Sequence, residues 1–151
     1  MPVRILYNLS DAEAQALMES LIQEGIRSPE VRQEAISATL GKPDTLSALY
    51  QHLLVTTKYV PDPVGRELFT HPRKMVELKQ ELGYAPEDCD GLSIYAAAMY
   101  GSIGYPQKLG LLDTNRDGEI DHAVAYVYSE RLDRWLTVDL ANRFPLGWAW
   151  S

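Results

Sequence analysis

The chain has 151 residues, of which 46% are hydrophobic and 23% charged, with a formal net charge of −7. This composition is typical of one folded domain and excludes intrinsic disorder, while the acidic balance excludes nucleic acid and anionic membranes as electrostatic partners. One cysteine excludes an intrachain disulfide, and no stretch reaches the roughly 18 apolar residues of a membrane helix, so we expect synthesis in the cytoplasm.

The first 54 residues predict a short strand or extended arm at residues 3–7, followed by three amphipathic helices. The expected helix limits are Ser10 or Asp11 to Gly25, Ser28-Pro29 to Gly41, and Pro43-Asp44-Thr45 onward. No motif with known chemistry occurs here. We therefore treat residues 1–54 as a helical N-terminal segment and residues 55–151 as the core of one compact domain.

The second part of the chain predicts two further helices and then a sheet. Two prolines in residues 59–65 predict an extended connector, and residues 84–87 predict a short loop. The expected helices begin at Thr70-His71-Pro72, ending at Gly83, and at Asp88, ending before Gly104; the expected strands cover 108–112, 122–128 and 135–140. Helices followed by strands with short antiparallel connections predict an α+β fold.

Cys89 lies in the first turn of the helix expected from Asp88. Free N–H groups and the positive end of the helix dipole lower a thiol pKa there, whereas the neighbouring carboxylates of Asp88 and Asp90 raise it. A cationic imidazole would be needed to hold the thiolate. The alternative is an inert buried thiol, which is the usual state of a single cysteine.

His122 and Asp139 are the candidate partners of this thiol. His122 begins one expected strand, and Asp139 follows on what should be the neighbouring antiparallel strand. If the hairpin closes across residues 131–133, the two side chains meet at one end of the sheet. A carboxylate there would fix the tautomer of the imidazole and stabilise its cation.

The order Cys, His, Asp along the chain is part of a longer pattern of five segments. These are E-D-C-D-G-L-S at 87–93, the alanines at 96–98, G-Y-P at 104–106, D-H-A-V-A-Y-V at 121–127 and W-L-T-V-D at 135–139. Over about residues 55–145 the chain resembles the transglutaminase-like superfamily, with its papain-like Cys-His-Asp fold. It is most similar to the compact bacterial and tailed-phage members. Glu87, Gly91 and Leu140-Ala141 depart from the family pattern, which usually has Gly, a second Asp and Pro-Thr at these places.

The resemblance implies a cysteine helix packed on a C-terminal antiparallel sheet, with Cys89 as nucleophile, His122 as general base and Asp139 as the residue that orients it. It also implies acyl transfer on a protein or peptide substrate: peptide or isopeptide hydrolysis, deamidation or amine cross-linking. No cofactor is required for this chemistry.

A second motif lies between the expected strands. Oxygen donors at Asp113, Asn115, Asp117, Glu119 and Asp121, with Gly118 at the sixth position, match the opening of a calcium loop. Val124 stands where the bidentate glutamate of that loop is needed. Two interpretations stay open: a Ca²⁺ site formed by these five residues, or a hairpin turn built by Asn115 and Asp117-Gly118.

Two functions from different classes are compatible with the sequence. The first is the cysteine acyl-transfer enzyme. The second is a structural or interaction component of a phage virion or tail assembly, with phage structural proteins as partners and an idle triad. The apolar C-terminal residues 144–150, which would form an adhesive patch if exposed, favour the second. A calcium-gated binding module built on the Asp113 loop is a third idea.

Overall fold

The computed structural model describes the backbone of residues 3–6, 10–61 and 67–150, and the side chains of residues 10–61 and 69–150. The described part of the chain is a mixed α+β arrangement of five helices and seven strands. In chain order these are β1 (Val3–Leu6), α1 (Asp11–Ile26), α2 (Pro29–Thr39), α3 (Thr45–Thr56), β2 (Thr57–Tyr59), β3 (Glu67–Thr70), α4 (Pro72–Leu82), β4 (Ala85–Glu87), α5 (Cys89–Ser102), β5 (Gln107–Leu112), β6 (His122–Ser129) and β7 (Arg134–Val138).

The helices begin where polar side chains can cap their free amides. Ser10 and Glu13 form a capping box at the start of α1, and the side chains of Ser28 and Asp44 accept from Val31 N and Ser47 N at the starts of α2 and α3. These limits confirm the three expected N-terminal helices. In α4 the cap is His71, one residue before the first-position proline, and Gly83 ends the helix with a φ of 86°.

Two predictions about the strands are wrong. Residues 85–87, expected to form a loop, are strand β4, which pairs in parallel with β2 in the register Thr57 to Ala85. The expected order of helices first and strands last is also wrong, since β2 and β3 lie between α3 and α4, and β4 lies before α5. Strand β1, which pairs antiparallel with β3, confirms the short strand expected near residues 3–7. Pro86 lowers the strand propensity of this segment, but the pairing is short, and Val60 N extends it by donating to Glu87 O at 2.8 Å. Residues 62–65 of the expected connector lie outside the described residues.

The C-terminal strands form the expected three-stranded antiparallel sheet, in the order β5-β6-β7. Leu112 pairs with His122 at one end of the β5–β6 hairpin, and Ala125 pairs with Val138 between β6 and β7. This register sets which side chains meet at the end of the sheet that carries His122.

Helix α5 lies at the centre of the core. It packs on β6, and α1, α2 and α4 surround its other sides. Its residues Gly91 to Tyr100 are all buried, and the small Ala96, Ala97 and Ala98 allow close approach. At the crossing with α1 and α4, a Cβ added at Gly25 would lie 2.5 Å from Pro72 Cγ and 2.7 Å from Ala98 Cβ. Within the described ranges, none of the helices combines the length and the apolar character that a membrane crossing requires.

Candidate active site

Cys89 is the first residue of α5, and the local sequence fixes it there. The carboxylate of Asp88 caps the helix by accepting from Gly91 N at 3.0 Å, and the hydroxyl of Ser93 donates to the carbonyl of Cys89 at 2.7 Å. The cysteine side chain is half-buried. The thiol therefore lies at the surface end of a helix whose remainder is core.

The structure brings His122 and Asp139 together. Because Ala125 pairs with Val138, Asp139 lies opposite Val124, and His122 is two residues further along the same face of the sheet. Their side chains meet with a distance of 2.8 Å between His122 Nε2 and Asp139 Oδ2. The pair is shielded from solvent, with 10% of the His122 side chain and 1% of the Asp139 side chain exposed.

The charge of Asp139 determines the tautomer of His122. Burial raises the pKa of this carboxyl group, but hydrogen bonds from His122 and Asn142 outweigh burial and hold the pKa below its ordinary value. Asp139 is therefore a carboxylate, which can only accept hydrogen bonds. The imidazole must carry its proton on Nε2, so Nδ1 is the nitrogen that can accept another proton.

Asn142 is a member of this cluster that the sequence interpretation missed. Its backbone N donates to Asp139 Oδ1 at 3.2 Å and its Nδ2 to Asp139 Oδ2 at 3.1 Å. Asn142 Nδ2 also lies 3.3 Å from His122 Nε2. The signal in the sequence was an Asp followed three residues later by an Asn, which is typical of an ordinary capping turn.

A cavity of about 210 Å³ brings the thiol and the imidazole to one place. Cys89 and His122 both line it, from the start of α5 and the start of β6. The other lining residues are Asp11, Ala14 and Met18 from α1, Asp90 from α5, Leu111 from β5, and Ile120 and Asp121 from the preceding loop. The N-terminal helix α1, which carried no recognised motif, thus forms one wall of the site.

Burial and the charges around Cys89 together favour the neutral thiol. Burial raises the pKa of Cys89 to about 12, together with the carboxylates of Asp90, Asp88 and Asp139, while the nearby Ala123 backbone amide lowers it. The lowering expected from the helix start is therefore outweighed by burial and by these three carboxylates. The thiol donates a hydrogen bond to Asp90 Oδ1 at 3.9 Å, and in the described part of the chain no hydrogen bond joins it to His122.

Two departures from the family pattern, Glu87 and Gly91, complement each other in space. Glu87 is buried; its Oε1 accepts from Asp88 N at 2.9 Å and its Oε2 from the Thr70 hydroxyl. A Cβ added at Gly91 would lie 1.7 Å from Glu87 Cγ. The glutamate therefore requires a glycine one helical turn later, and both flank the cysteine.

The Asp113 loop is folded by its own side chains. Asp113 accepts from Asp117 N at 3.1 Å and Gly118 N at 2.7 Å, and Asn115 Oδ1 also accepts from Asp117 N. At the end of the loop, Asp121 Oδ1 accepts from the backbone and the hydroxyl of Thr114. Among the described residues, no three His, Cys, Asp or Glu side chains are grouped to hold a metal ion. Calcium binding stays a prediction from the sequence; a change in melting temperature on adding Ca²⁺ and its reversal by chelator would test it.

Comparisons with known proteins add no family to this geometry. No protein-family model matches the chain, and no curated protein matches it in a sequence search.

Proposed function

We propose that this chain is a transglutaminase-like cysteine acyl-transfer enzyme acting on peptide or isopeptide bonds. The observation that carries the proposal is the 2.8 Å contact between His122 Nε2 and Asp139 Oδ2, beside a cavity shared by His122 and Cys89. The position of the cysteine helix against an antiparallel sheet supports the corresponding fold, a papain-like core with added N-terminal helices.

In the proposed first step the Cys89 sulfur attacks the carbonyl carbon of the substrate. A carbon–sulfur bond forms while the thiol proton moves to His122 Nδ1, and Asp139 stabilises the resulting imidazolium. Because the resting thiol is neutral, the base acts during the attack and no thiolate is stored beforehand. The thiol must first turn from Asp90 towards the imidazole.

The second half of the reaction returns the proton. His122 donates it to the leaving nitrogen, the carbon–nitrogen bond breaks, and a thioester to Cys89 remains. Water attacking the thioester completes hydrolysis, and a primary amine completes transfer; His122 accepts the proton of either and returns it to the thiol. The backbone N–H of Cys89, at the start of α5, is the group suited to bind the oxyanion.

The proposal is tested with p-nitrophenyl acetate as the acyl donor. We expect an acetyl group on Cys89, found by mass spectrometry of the intact and digested protein, and none on Cys89→Ser. General-base catalysis contributes about 10²–10⁴-fold, so His122→Ala should be acylated about 100-fold more slowly or worse at pH 7.

His52→Ala serves as the matched control, because His52 lies on α3 and bonds to Glu34 at 2.6 Å, outside the site. Circular dichroism checks that each variant is folded. Equal and slow acylation of wild type, His122→Ala and His52→Ala would overturn the enzyme proposal. It would favour the alternative, a structural component of a phage virion or tail assembly that keeps the fold without turnover.

A further inference from the structure

The chain turns back after Asp139 and lays its last residues beside His122. Arg143 N donates to Leu140 O at 3.2 Å, and Arg143 has a φ of 57°, which reverses the chain. A second reversal occurs at Gly147, with a φ of 90°. These two reversals direct residues 144–150 back towards the body of the protein.

Three aromatic side chains of this segment form one cluster, which we call the aromatic tail: Phe144, Trp148 and Trp150. The ring centroids of Phe144 and Trp148 are 4.1 Å apart, and those of Trp148 and Trp150 are 5.2 Å apart at an interplanar angle of 81°. The separation and angle of the Trp148–Trp150 pair are typical of an attractive edge-to-face contact. The tail is thus a packed unit and not a loose apolar end.

Hydrogen bonds from the body of the protein hold the aromatic tail in place. Gly147 N donates to Thr137 O on β7 at 2.9 Å, the Tyr50 hydroxyl donates to Phe144 O, and Arg143 Nη1 donates to Leu54 O at 2.8 Å. Two of these contacts come from α3. The tail therefore has a defined position relative to the sheet and to His122.

Trp150 is the member of the tail that contacts the candidate base. Its ring lies edge-on to the His122 imidazole, with centroids 5.9 Å apart and an interplanar angle of 70°. The charged groups around His122 are all carboxylates: Asp139 at Nε2, the adjacent Asp121, and Asp90 and Asp11 across the cavity. Trp150 is the apolar group packed on this ring from the tail.

We propose that Trp150 is a positioning residue for His122, in a role that rests on the proposed acyl-transfer function. Its indole covers the imidazole and excludes water that would compete for the bond between Nε2 and Asp139. Hydrogen bonds of charged groups are stronger where water is excluded. The covered bond keeps the proton on Nε2 and Nδ1 free to act as the base.

The test follows the Nε2 proton of His122 in ¹H–¹⁵N spectra of the free protein. We expect a resolved imidazole N–H resonance in wild type, and in Trp150→Ala an exchange rate with water that rises about tenfold or more. Trp150→Phe should restore most of the protection, because a phenyl ring still covers the imidazole. Acylation by p-nitrophenyl acetate should fall in Trp150→Ala and recover in Trp150→Phe.

Trp135→Ala is the matched control, since Trp135 is 40% exposed against 38% for Trp150 but packs on Tyr128 and Lys108. The inference would be overturned if the exchange rate of the His122 Nε2 proton were the same in Trp150→Ala as in wild type, or if Trp135→Ala raised it equally. A wild-type protein without a protected Nε2 proton would overturn it as well. If wild type is not acylated but the proton depends on Trp150, the enzyme proposal fails and the positioning role stands. If acylation is normal in Trp150→Ala, only the positioning role fails.

Discussion

The Asp90 carboxylate accepts a hydrogen bond from the thiol and is, after burial, the largest cause of the raised pKa of Cys89. In Asp90→Asn the amide carries no charge, so we expect the pKa of Cys89 to fall while burial keeps it above that of a free thiol. The rate of alkylation by iodoacetamide, followed against pH, measures this pKa. Glu81→Gln removes an exposed carboxylate on α4 as the control. If Asp90→Asn left the dependence of the alkylation rate on pH unchanged, or moved it to higher pH, Asp90 would not be a cause of the raised pKa of Cys89.

Asp139 fixes the imidazole through its charge as well as its position. In Asp139→Asn the amide can donate to Nε2, which moves the imidazole proton to Nδ1 and removes the base. Changing the orienting aspartate to asparagine costs about 10⁴-fold in a Ser-His-Asp triad, and we expect a loss of similar size in the rate of Cys89 acylation. Asn142→Ala leaves the carboxylate, so its loss should be much smaller. Equal rates in the two variants would refute this role of the charge.

The site residues were accessible to sequence reasoning to different degrees. Cys89, His122 and Asp139 could be singled out because each falls at the end of a predictable helix or strand. The state of the thiol could not be predicted, since it depends on burial and on the carboxylates that the fold places around it. Asn142 was missed because its hydrogen bonds to Asp139 depend on how the chain turns after β7.

At the start of α5, Glu87 and Gly91 form one steric unit. A methyl group in Gly91→Ala would overlap Glu87, and overpacking of this kind costs about 1–3 kcal/mol in the free energy of unfolding. Glu87→Ala removes the overlapping atoms. We therefore expect the double variant to lose less stability than the sum of the two single variants, as measured by urea denaturation.

Gly25→Ala is the control for this cycle. Its added methyl group would also overlap neighbours, but these are Pro72 and Ala98, and Glu87 is not among them. The costs of Gly25→Ala and Glu87→Ala should add within about 0.5 kcal/mol, as expected for sites without a shared partner. If the losses of unfolding free energy in Gly91→Ala and Glu87→Ala also added in their double variant, the Glu87 side chain would be free to move away from the added methyl group.

The helices were predictable and the short strands were not, for physical reasons. Ser10, Ser28 and Asp44 cap helices through local contacts, which the sequence displays directly. Strand β4 exists only because β2, which ends 26 residues earlier in the sequence, lies beside it. Three residues with a central proline contain too little local information to indicate such pairing.

For the whole molecule, Glu34 connects three helices and makes folding sensitive to acid. Its carboxylate on α2 contacts His52 Nε2 on α3 at 2.6 Å and Lys79 Nζ on α4 at 3.0 Å. The hydrogen bond with His52 is the main cause that lowers the pKa of Glu34 below 4.5. A lowered folded-state pKa stabilises the protein above the unfolded-state pKa, and this contribution is lost as the pH falls through the folded-state value.

Glu34→Gln should therefore cost about 1–3 kcal/mol of unfolding free energy at pH 7, the usual range for hydrogen bonds to charged groups. The difference from wild type should shrink as the pH falls from 5 to 3, measured by urea denaturation at each pH. Glu81→Gln, which changes an exposed carboxylate, should run parallel to wild type throughout. If the unfolding free energy of Glu34→Gln also ran parallel to that of wild type at every pH, the lowered pKa of Glu34 would not contribute to stability.

The burial of α5 on every side has a consequence for anyone who wishes to redesign this protein. The ten consecutive residues after Asp90 are all buried. A substitution on any side of this helix would therefore cost stability. Under the proposed acyl-transfer function, new substrate preference would have to be introduced through the cavity walls supplied by α1 and by the residues before His122. Helix α5 is the part to keep constant, and the surrounding segments are the part to diversify in a library.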